Sequence, residues 1–228
     1  GRLWPSCPDR EYRMRRLPSF LLFAVLSLPA GCTAGPPAAP DTADEPPTVM
    51  PFNTLGREDA PVSIIEFTDL QCPYCARHAR QTFPRLRSDY IETGKVRYAS
   101  RDLPLDIHPY ALAAAVASRC AGEQGRFWEY REALFAAQRT LSSEPYLRIA
   151  GELGLDVERL EACRRDGRQE ANVRDDRAVA RASGVRSTPG FVIGRVVDGQ
   201  FQGEVMTGAQ PYEVFAAKID ALLDAADR

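Results

Sequence analysis

A Cys-Pro-Tyr-Cys sequence at residues 72–75 lies between a predicted strand and a predicted helix. Residues 62–67 are apolar on both faces except at Ser63 and Glu66, which is typical of a strand covered on two sides. Pro73 suits the first turn of a helix, where its missing N–H is not needed. The pattern therefore predicts a buried strand, a short loop, and a helix whose N-terminus carries the first cysteine.

A cysteine at the N-terminus of a helix has backbone N–H groups and the positive end of the helix dipole directed at its sulfur. These favour the thiolate and lower the pKa from about 8.5 into a range of roughly 3.5–7.5. We therefore predict that Cys72 is the nucleophile and that Cys75, one turn later, resolves mixed disulfides formed on Cys72. Two alternatives stay open: half of a zinc site, for which a second ligand pair at metal spacing is missing, and an inert structural disulfide.

Residues 14–32 have the order of a secretory signal. Basic residues are followed by an apolar run at 17–28 and small residues before Cys32. The run is shorter than the about 20 residues that span a bilayer. Cys32 directly after Ala-Gly resembles the bacterial lipoprotein signal, which implies that Cys32 is lipidated and anchors the chain to a membrane. Ordinary cleavage and an uncleaved anchor remain alternatives, and all three predict export to the cell envelope.

The next segment is rich in proline, alanine and acidic residues, so it buries little and stays extended. We divide the chain into upstream residues and a signal peptide at 1–31, a Pro/Ala-rich tether at 32–51, and one folded domain at 52–226. A length of 228 residues allows one domain with a large insertion.

The chain has six cysteines, at positions 7, 32, 72, 75, 120 and 163. With Cys7 upstream and Cys32 assigned to the lipid, four remain in a compartment where disulfides persist. The two-residue spacing favours a pair at 72–75 and leaves Cys120 for Cys163, although three pairings of four cysteines are formally possible. We interpret the second pair as a structural disulfide; a second redox couple or two buried thiols are the alternatives.

The charge balance and the histidine count exclude several classes of function. There are 29 Lys+Arg against 31 Asp+Glu, a formal charge of −2, and no basic run to follow a phosphate backbone, so no nucleic-acid partner is expected. Only two histidines accompany the cysteines, which argues against a Cys/His zinc framework. We predict no metal and no cofactor.

Several segments together resemble the DsbA-like branch of the thioredoxin superfamily. They are residues 65–75, residues 103–105 with His108-Pro109, residues 127–129, and Thr188-Pro189 ahead of the apolar residues 191–193. The resemblance extends over roughly residues 50–226. It implies an α/β thioredoxin fold with an all-helical insertion at about 105–185, between the second core strand and a cis-proline loop.

The resemblance also implies roles for individual residues. Pro189 would be the cis-proline that faces the active-site cysteines, and Thr188 would offer its backbone edge to a bound peptide. Glu66 would be a buried acid that shuttles the proton of Cys75. Gly190 follows where the family more often has a larger residue, which leaves a looser loop and a wider groove as alternatives.

Periodicity and turn residues predict the remaining elements. The expected helices cover residues 73–90, 111–121, 127–138, 146–153, 157–163, 169–182 and 211–225, and the expected strands cover 62–67, 96–101, 191–197 and 200–206. Asp198-Gly199 is a hairpin signal between the last two strands.

Three polar residues are placed by pattern. Glu66 alternates with apolar neighbours, so burial would favour its neutral acid; the alternative is a carboxylate that reaches solvent at the strand end. We expect His78 on the surface of the active-site helix and His108 at the start of the insertion, in a structural role.

The predicted function is thiol–disulfide exchange with cysteines of exported proteins, with Cys72–Cys75 as the disulfide donor. Pro73 and Tyr74 set the geometry and potential of the pair, and neither is cationic, so we expect a couple between about −120 and −230 mV. A membrane partner would reoxidise the chain, which we expect to be monomeric. The alternatives are a reductase or isomerase that uses the same cysteines, and a tethered binding protein without turnover; a peroxide-reducing enzyme is disfavoured by the cysteine spacing.

Overall fold

A computed structural model describes residues 53–197 and 199–226, except for the side chain of Ser143. The predicted signal peptide and tether, with Cys7 and Cys32, lie outside the described residues. Within the described part of the chain, no helix is long and apolar enough to cross a membrane.

The strands form one five-stranded sheet in the order β1-β3-β2-β4-β5. They are β1 Thr54–Leu55, β2 Val62–Thr68, β3 Val96–Asp102, β4 Gly190–Val197 and β5 Gln200–Thr207. The pair β2–β3 is parallel and the other three pairs are antiparallel. Because β2 lies at the centre of the sheet, its C-terminal end delivers the Cys-Pro-Tyr-Cys segment to the middle of the sheet edge.

The helices confirm an all-helical insertion between β3 and the proline loop that precedes β4. They are α1 Pro73–Gln81, α2 Phe83–Leu86, α3 Ala111–Gly122, α4 Phe127–Ala136, α5 Tyr146–Glu152, α6 Val157–Arg165, α7 Arg168–Ala182 and α8 Tyr212–Asp224, with a π-helical turn at Arg87–Ile91 and a 3₁₀ segment at Gln138–Ser143. The α/β thioredoxin fold with its helical insertion is therefore confirmed. The predicted elements agree with the observed ones to within about two residues, apart from the exceptions below.

The expected continuous helix over residues 73–90 is wrong. Helix α1 ends at Gln81, and Thr82, at φ −103° and ψ −48°, is distorted from regular helix geometry but stays right-handed before the short α2 begins. Pro84 explains the break, because it has no N–H to donate to the carbonyl four residues earlier and its ring crowds that turn.

Two smaller differences concern the end of α4 and the presence of β1. Helix α4 ends at Ala136 and not at residue 138, and Gln138 begins the 3₁₀ segment that follows. Strand β1 was not predicted, because two residues are too few to show a period of two. Gly199 of the predicted hairpin turn has a φ of 75°, which suits glycine, and Asp198 lies outside the described residues.

A buried ionic cluster attaches the insertion to the sheet. Arg101 of β3 donates to Asp176 of α7 at 2.7 Å, and Arg119 of α3 donates to Asp102 at 2.5 Å and also to Asp176. All four side chains are 6% exposed or less. The pattern of the sequence did not indicate this cluster, since its members come from three separate segments.

A disulfide joins Cys120 near the end of α3 to Cys163 near the end of α6, 43 positions apart. Both sulfurs belong to the apolar cluster that the insertion helices share with α1. The bond therefore links two insertion helices within their common core.

Removing this disulfide with Cys120→Ala/Cys163→Ala should lower the free energy of unfolding by about 4 kcal/mol, because the unfolded chain regains the entropy of a 43-residue loop. Urea unfolding followed by circular dichroism measures the change. Disulfide exchange at low urea should persist in this variant. A stable variant that loses exchange would instead indicate a second redox couple.

Candidate active site

Cys72 and Cys75 are both buried thiols at the start of α1. Cys72 is the N-cap residue, with extended backbone angles of −73° and 124°, and Cys75 lies in the first turn. Cys72 is 4% exposed and Cys75 is fully buried, so Cys72 is the sulfur at the surface of the site.

The pKa of Cys72 is lowered to about 5. The largest cause is the hydrogen bond from the Cys75 thiol, and hydrogen bonding to Thr188 and the backbone N–H groups of Cys75 and Tyr74 act in the same direction, against the effect of burial. The donors on Cys75 and Tyr74 each favour the charged sulfur over the neutral thiol. Cys72 is therefore a thiolate at neutral pH.

The pKa of Cys75 is raised well above its usual value, first by burial and then by the neighbouring Cys72 sulfur. The backbone N–H of Asp69 points at Cys75 Sγ over 3.4 Å and only partly offsets these effects. The two cysteines thus differ in charge, with one proton held on the inner sulfur and shared with the outer one.

Alkylation of the reduced chain should report this arrangement. Because the thiolate of Cys72 dominates above pH 5, the rate with iodoacetamide should be nearly constant from pH 7 to pH 6 and should fall about tenfold per pH unit well below pH 5. Cys75→Ala removes the main donor and should move the midpoint of the pH–rate curve, which reports the pKa of Cys72, to higher pH. Cys75→Ser keeps a donor, so the midpoint should move less. A midpoint near 8.5 in the unsubstituted chain would contradict this assignment.

The peptide bond between Thr188 and Pro189 is cis. The carbonyl oxygen of Thr188 lies 3.4 Å from Cys72 Sγ, so the proline loop borders the outer sulfur directly. At Gly190 an added Cβ would lie 2.4 Å from Val185 Cγ1 and 2.8 Å from the carbonyl of Ser187. Val185 fills the space that a larger side chain would need.

Asp69 holds the turn before the cysteines, and the sequence analysis missed it. Its Oδ1 accepts the backbone N–H groups of Gln71 at 2.7 Å and Cys72 at 3.1 Å. Its Oδ2 accepts the N–H of Leu105 at 2.8 Å and lies 2.7 Å from Nδ1 of His108. His108 does begin the insertion, and it also contacts the group that positions Cys72.

Two glutamines connect the same turn to the insertion. Gln71 accepts the N–H of Tyr110 at 2.7 Å. Gln138, in the 3₁₀ segment, donates to the carbonyls of Leu70 at 3.1 Å and Cys72 at 2.9 Å. The insertion therefore forms one side of the active site and fixes the path of the chain into α1.

Glu66 is fully buried, so the alternative of a carboxylate that reaches solvent is wrong. Its Oε2 accepts hydrogen bonds from Tyr98 Oη at 2.9 Å and from Arg131 Nη2 at 2.6 Å. Arg131 comes from α4 and is 1% exposed. The only sequence signal for Arg131 was its position four residues after Phe127, on the face of α4 that turns inward.

The prediction for His78 is wrong. It is fully buried on the inner side of α1, 4.7 Å from the ring of Phe191, and its Nε2 lies 3.2 Å from Tyr98 Oη. Burial lowers its pKa to about 4. His78 thus extends the polar chain of Arg131, Glu66 and Tyr98 beneath the active-site helix as a neutral side chain.

An open cavity of about 600 Å³ lies beside Thr188 on the outer face of α1. Tyr74, which is 56% exposed, forms one wall, and the guanidinium of Arg77 lies 5.1 Å from its ring centre. The remaining lining residues are Gln81, Thr82, Gly208, Ala209, Gln210 and Pro211. The cavity is large enough for side chains of a polypeptide that approaches Cys72.

No group of three or more His, Cys, Asp or Glu side chains that could hold a metal ion occurs among residues 53–197 and 199–226. The reactive centre of the described domain consists of two sulfurs, a cis-proline loop and the hydrogen-bond donors around them.

The site combines a thioredoxin fold, a thiolate at a helix N-terminus, a buried partner thiol and a cis-proline. This combination defines a thiol–disulfide oxidoreductase. The chain belongs to the thioredoxin family Thioredoxin_4, which matches residues 51–221. Solved structures agree with this assignment. The crystal structure of alpha-DsbA1 from Wolbachia pipientis has a TM-score of 0.68 and 28% identity, over 76% of this chain and 92% of that one.

Two further comparisons extend this result. DsbA2 of Pseudomonas aeruginosa has a TM-score of 0.60 and 26% identity, over 75% of this chain and 93% of that one. A curated Na(+)/H(+) antiporter NhaA 3 from Salinispora tropica is 38% identical over 156 residues, which are 68% of this chain and 23% of that protein. This chain thus spans about a quarter of the length of the antiporter relatives. Their ion-transport activity is therefore not assigned to this chain.

Proposed function

We propose that this chain donates its Cys72–Cys75 disulfide to cysteines of exported polypeptides. A substrate thiolate attacks Cys72 Sγ, the Cys72–Cys75 bond breaks, and Cys75 leaves with the bonding electrons and takes up a proton. A second substrate thiolate then attacks the substrate sulfur of the mixed disulfide and releases Cys72 as a thiolate. The substrate gains a disulfide, and the chain is left with two reduced cysteines.

The observation that carries this direction is the low pKa of Cys72, about 5. Groups that stabilise the thiolate stabilise the reduced form of the pair, so the disulfide accepts electrons more readily. A thiolate of low pKa is also the better leaving group in the second step, which favours release of the oxidised substrate.

The remaining roles belong to the same proposal. Glu66 would accept and return the proton of Cys75, and Thr188 would hydrogen-bond the backbone of the bound polypeptide at the edge of the Pro189 loop. Pro73 and Tyr74 shape the turn between the sulfurs. The thiol chemistry of the two cysteines needs no cofactor on the chain.

The export expected from the signal-like sequence supports the choice of substrate. The signal-like residues 1–31, the tether at 32–51 and lipidation of Cys32 would hold a domain at 52–226 near a membrane, as a monomer. Since each turnover leaves the chain reduced, a membrane redox partner is needed to reoxidise it. In the antiporter relatives, the matching segment is part of a much longer protein, which is consistent with work at a membrane surface.

The reduction potential tests the direction of electron flow. Full-length chain with Cys7→Ser/Cys32→Ser is equilibrated in glutathione buffers, and thiols are alkylated and counted by intact mass. We expect two thiols to titrate above about −200 mV while Cys120–Cys163 stays oxidised. Alkylation sites mapped on peptides identify the titrating pair.

Two outcomes would reject the proposal. A midpoint near −270 mV or below would make the chain a reductase that requires an electron donor. A Cys72–Cys75 pair that does not change state across the buffers would indicate a binding protein without turnover.

A further inference from the structure

A second cavity, of about 230 Å³, is lined by residues that lead into the proline loop and shares no lining residue with the cavity at Tyr74. One wall comes from Val185 and Arg186, which lead into the loop, and the other from residues 103–106, which follow β3. Arg186 is two positions before Thr188, so their Cα atoms are at most about 7 Å apart. We call this the arginine pocket.

Both walls of the arginine pocket are connected to groups that hold Cys72. The Thr188 carbonyl lies 3.4 Å from Cys72 Sγ. The N–H of Leu105 donates to Asp69, whose other carboxylate oxygen accepts the N–H of Cys72. If a polypeptide joined to Cys72 passes Thr188, as proposed above, the pocket lies next to the residues that flank its cysteine, because Arg186 is two positions from Thr188.

The rim of the pocket is basic. Three guanidinium groups, from Arg177, Arg181 and Arg186, face one carboxylate, that of Asp106. Arg177 pairs with this carboxylate at 2.8 Å, on a side chain of Asp106 that is 85% exposed. Arg181 and Arg186 are exposed and form no ion pair with any residue in 53–197 or 199–226. Two positive charges are thus concentrated here in a chain whose formal charge is −2.

The floor of the pocket is apolar. Leu103 and Val185 are buried in the same cluster as Phe67, and Leu105 packs on it partly exposed. An occupant with a short apolar stem and an anionic end matches both parts, since the stem covers the floor and the anion meets the guanidinium groups. A glutamate side chain has this composition.

We infer that the arginine pocket binds a carboxylate side chain that flanks the reacting cysteine of the substrate, so that the chain prefers acidic polypeptides. This inference rests on the proposed function, because it names the substrate class of the same site. The small volume and the position two residues before Thr188 favour a side chain of a bound polypeptide over a membrane surface, whose headgroups would have to enter a recess of about 230 Å³.

Two short peptides test this preference, each with one cysteine, flanked on both sides by glutamates in one and by glutamines in the other. The oxidised full-length chain is mixed with each at low ionic strength, and mixed disulfides are counted by intact mass over time. Arg181→Gln/Arg186→Gln should slow mixed-disulfide formation with the glutamate peptide about three- to tenfold. The rate with the glutamine peptide should stay within about twofold of the unsubstituted chain. Arg165→Gln/Arg174→Gln, on exposed helix positions outside the pocket, removes the same charge and should not change the ratio.

Equal losses for both peptides, or the same loss in the control variant, would show that only overall charge matters and would overturn the inference. Loss of binding to phosphatidylglycerol–phosphatidylcholine vesicles, with the peptide ratio unchanged, would assign the pocket to a membrane and would also overturn it. Binding of the glutamate peptide with serine in place of cysteine, measured by fluorescence anisotropy, needs no redox step. It therefore tests the pocket even if the chain transfers no disulfide and the proposed function fails.

Discussion

Cys72→Ser is expected to reduce disulfide transfer to the background rate of uncatalysed thiol oxidation. Cys72 is the sulfur at the surface of the site, its pKa is about 5, and serine cannot form the mixed disulfide that both exchange steps require. The measurement is oxidation of a reduced dithiol peptide by stoichiometric oxidised chain, with the remaining thiols counted. The Cys72→Ser variant is treated beforehand with the oxidant that is used to oxidise the unsubstituted chain.

Cys75→Ser is the matched control. It keeps the outer sulfur and a hydrogen-bond donor beside it, but it cannot form the Cys72–Cys75 disulfide that oxidises the substrate. We expect this variant to transfer no disulfide. When it is mixed with two peptides joined by a disulfide, the Cys72 thiolate should attack one sulfur and release the other as a thiolate, and the covalent complex should accumulate because no Cys75 thiol is present to release it. Substantial turnover by Cys72→Ser, or complexes formed through Cys75, would contradict the assignment of the nucleophile.

Arg131→Met is expected to destabilise the chain by about 3–5 kcal/mol, although Arg131 lies in a helix far in sequence from the cysteines. The substitution leaves the carboxylate of Glu66 in the core with no positive partner, at a position that is fully buried. Loss of one member of a buried ion pair has an effect of this size because the remaining charge cannot regain its hydration. Urea unfolding at neutral pH measures the change.

Arg131→Met/Glu66→Gln separates the charge effect from packing. The amide keeps a hydrogen-bond acceptor for Tyr98 Oη but carries no charge, so most of the lost stability should return. A double variant no more stable than Arg131→Met would show that packing of Arg131 against the ring of Phe135, whose centre is 4.9 Å from the guanidinium carbon, is the larger effect. The rate of disulfide transfer in the double variant also tests the proposed proton-transfer role of Glu66.

Features that depend on neighbouring residues in the sequence were predicted better than features that depend on contacts between distant segments. The strand, loop and helix around residues 72–75 were predictable because apolar alternation, a proline at the first turn and the cysteine spacing are all local. The long helix over 73–90 was wrong for an equally local reason, since Pro84 was not weighed against the apolar pattern.

Buried polar residues were the main failure. His78 and Arg131 look like surface residues in a helical pattern, because the pattern records only how apolar each side chain is. Each has a polar partner in the core that lies far away in sequence: Tyr98 for His78, 20 positions away, and Glu66 for Arg131, 65 positions away. Asp69 was missed for the same reason, as two of its partners belong to the insertion.

By itself, the sequence determined the reactive chemistry and the fold class. The reactive chemistry follows from a cysteine pair at a helix N-terminus after a buried strand. The fold class follows from segments that resemble a known family, and both can be recognised without coordinates. Only the tertiary structure decided the charges on the two sulfurs, the buried ion pair of Glu66 and Arg131, and the basic pocket next to the proline loop. Those properties arise where separate segments meet, since a pKa, a buried charge and a cavity depend on distances between groups that the order of residues does not specify.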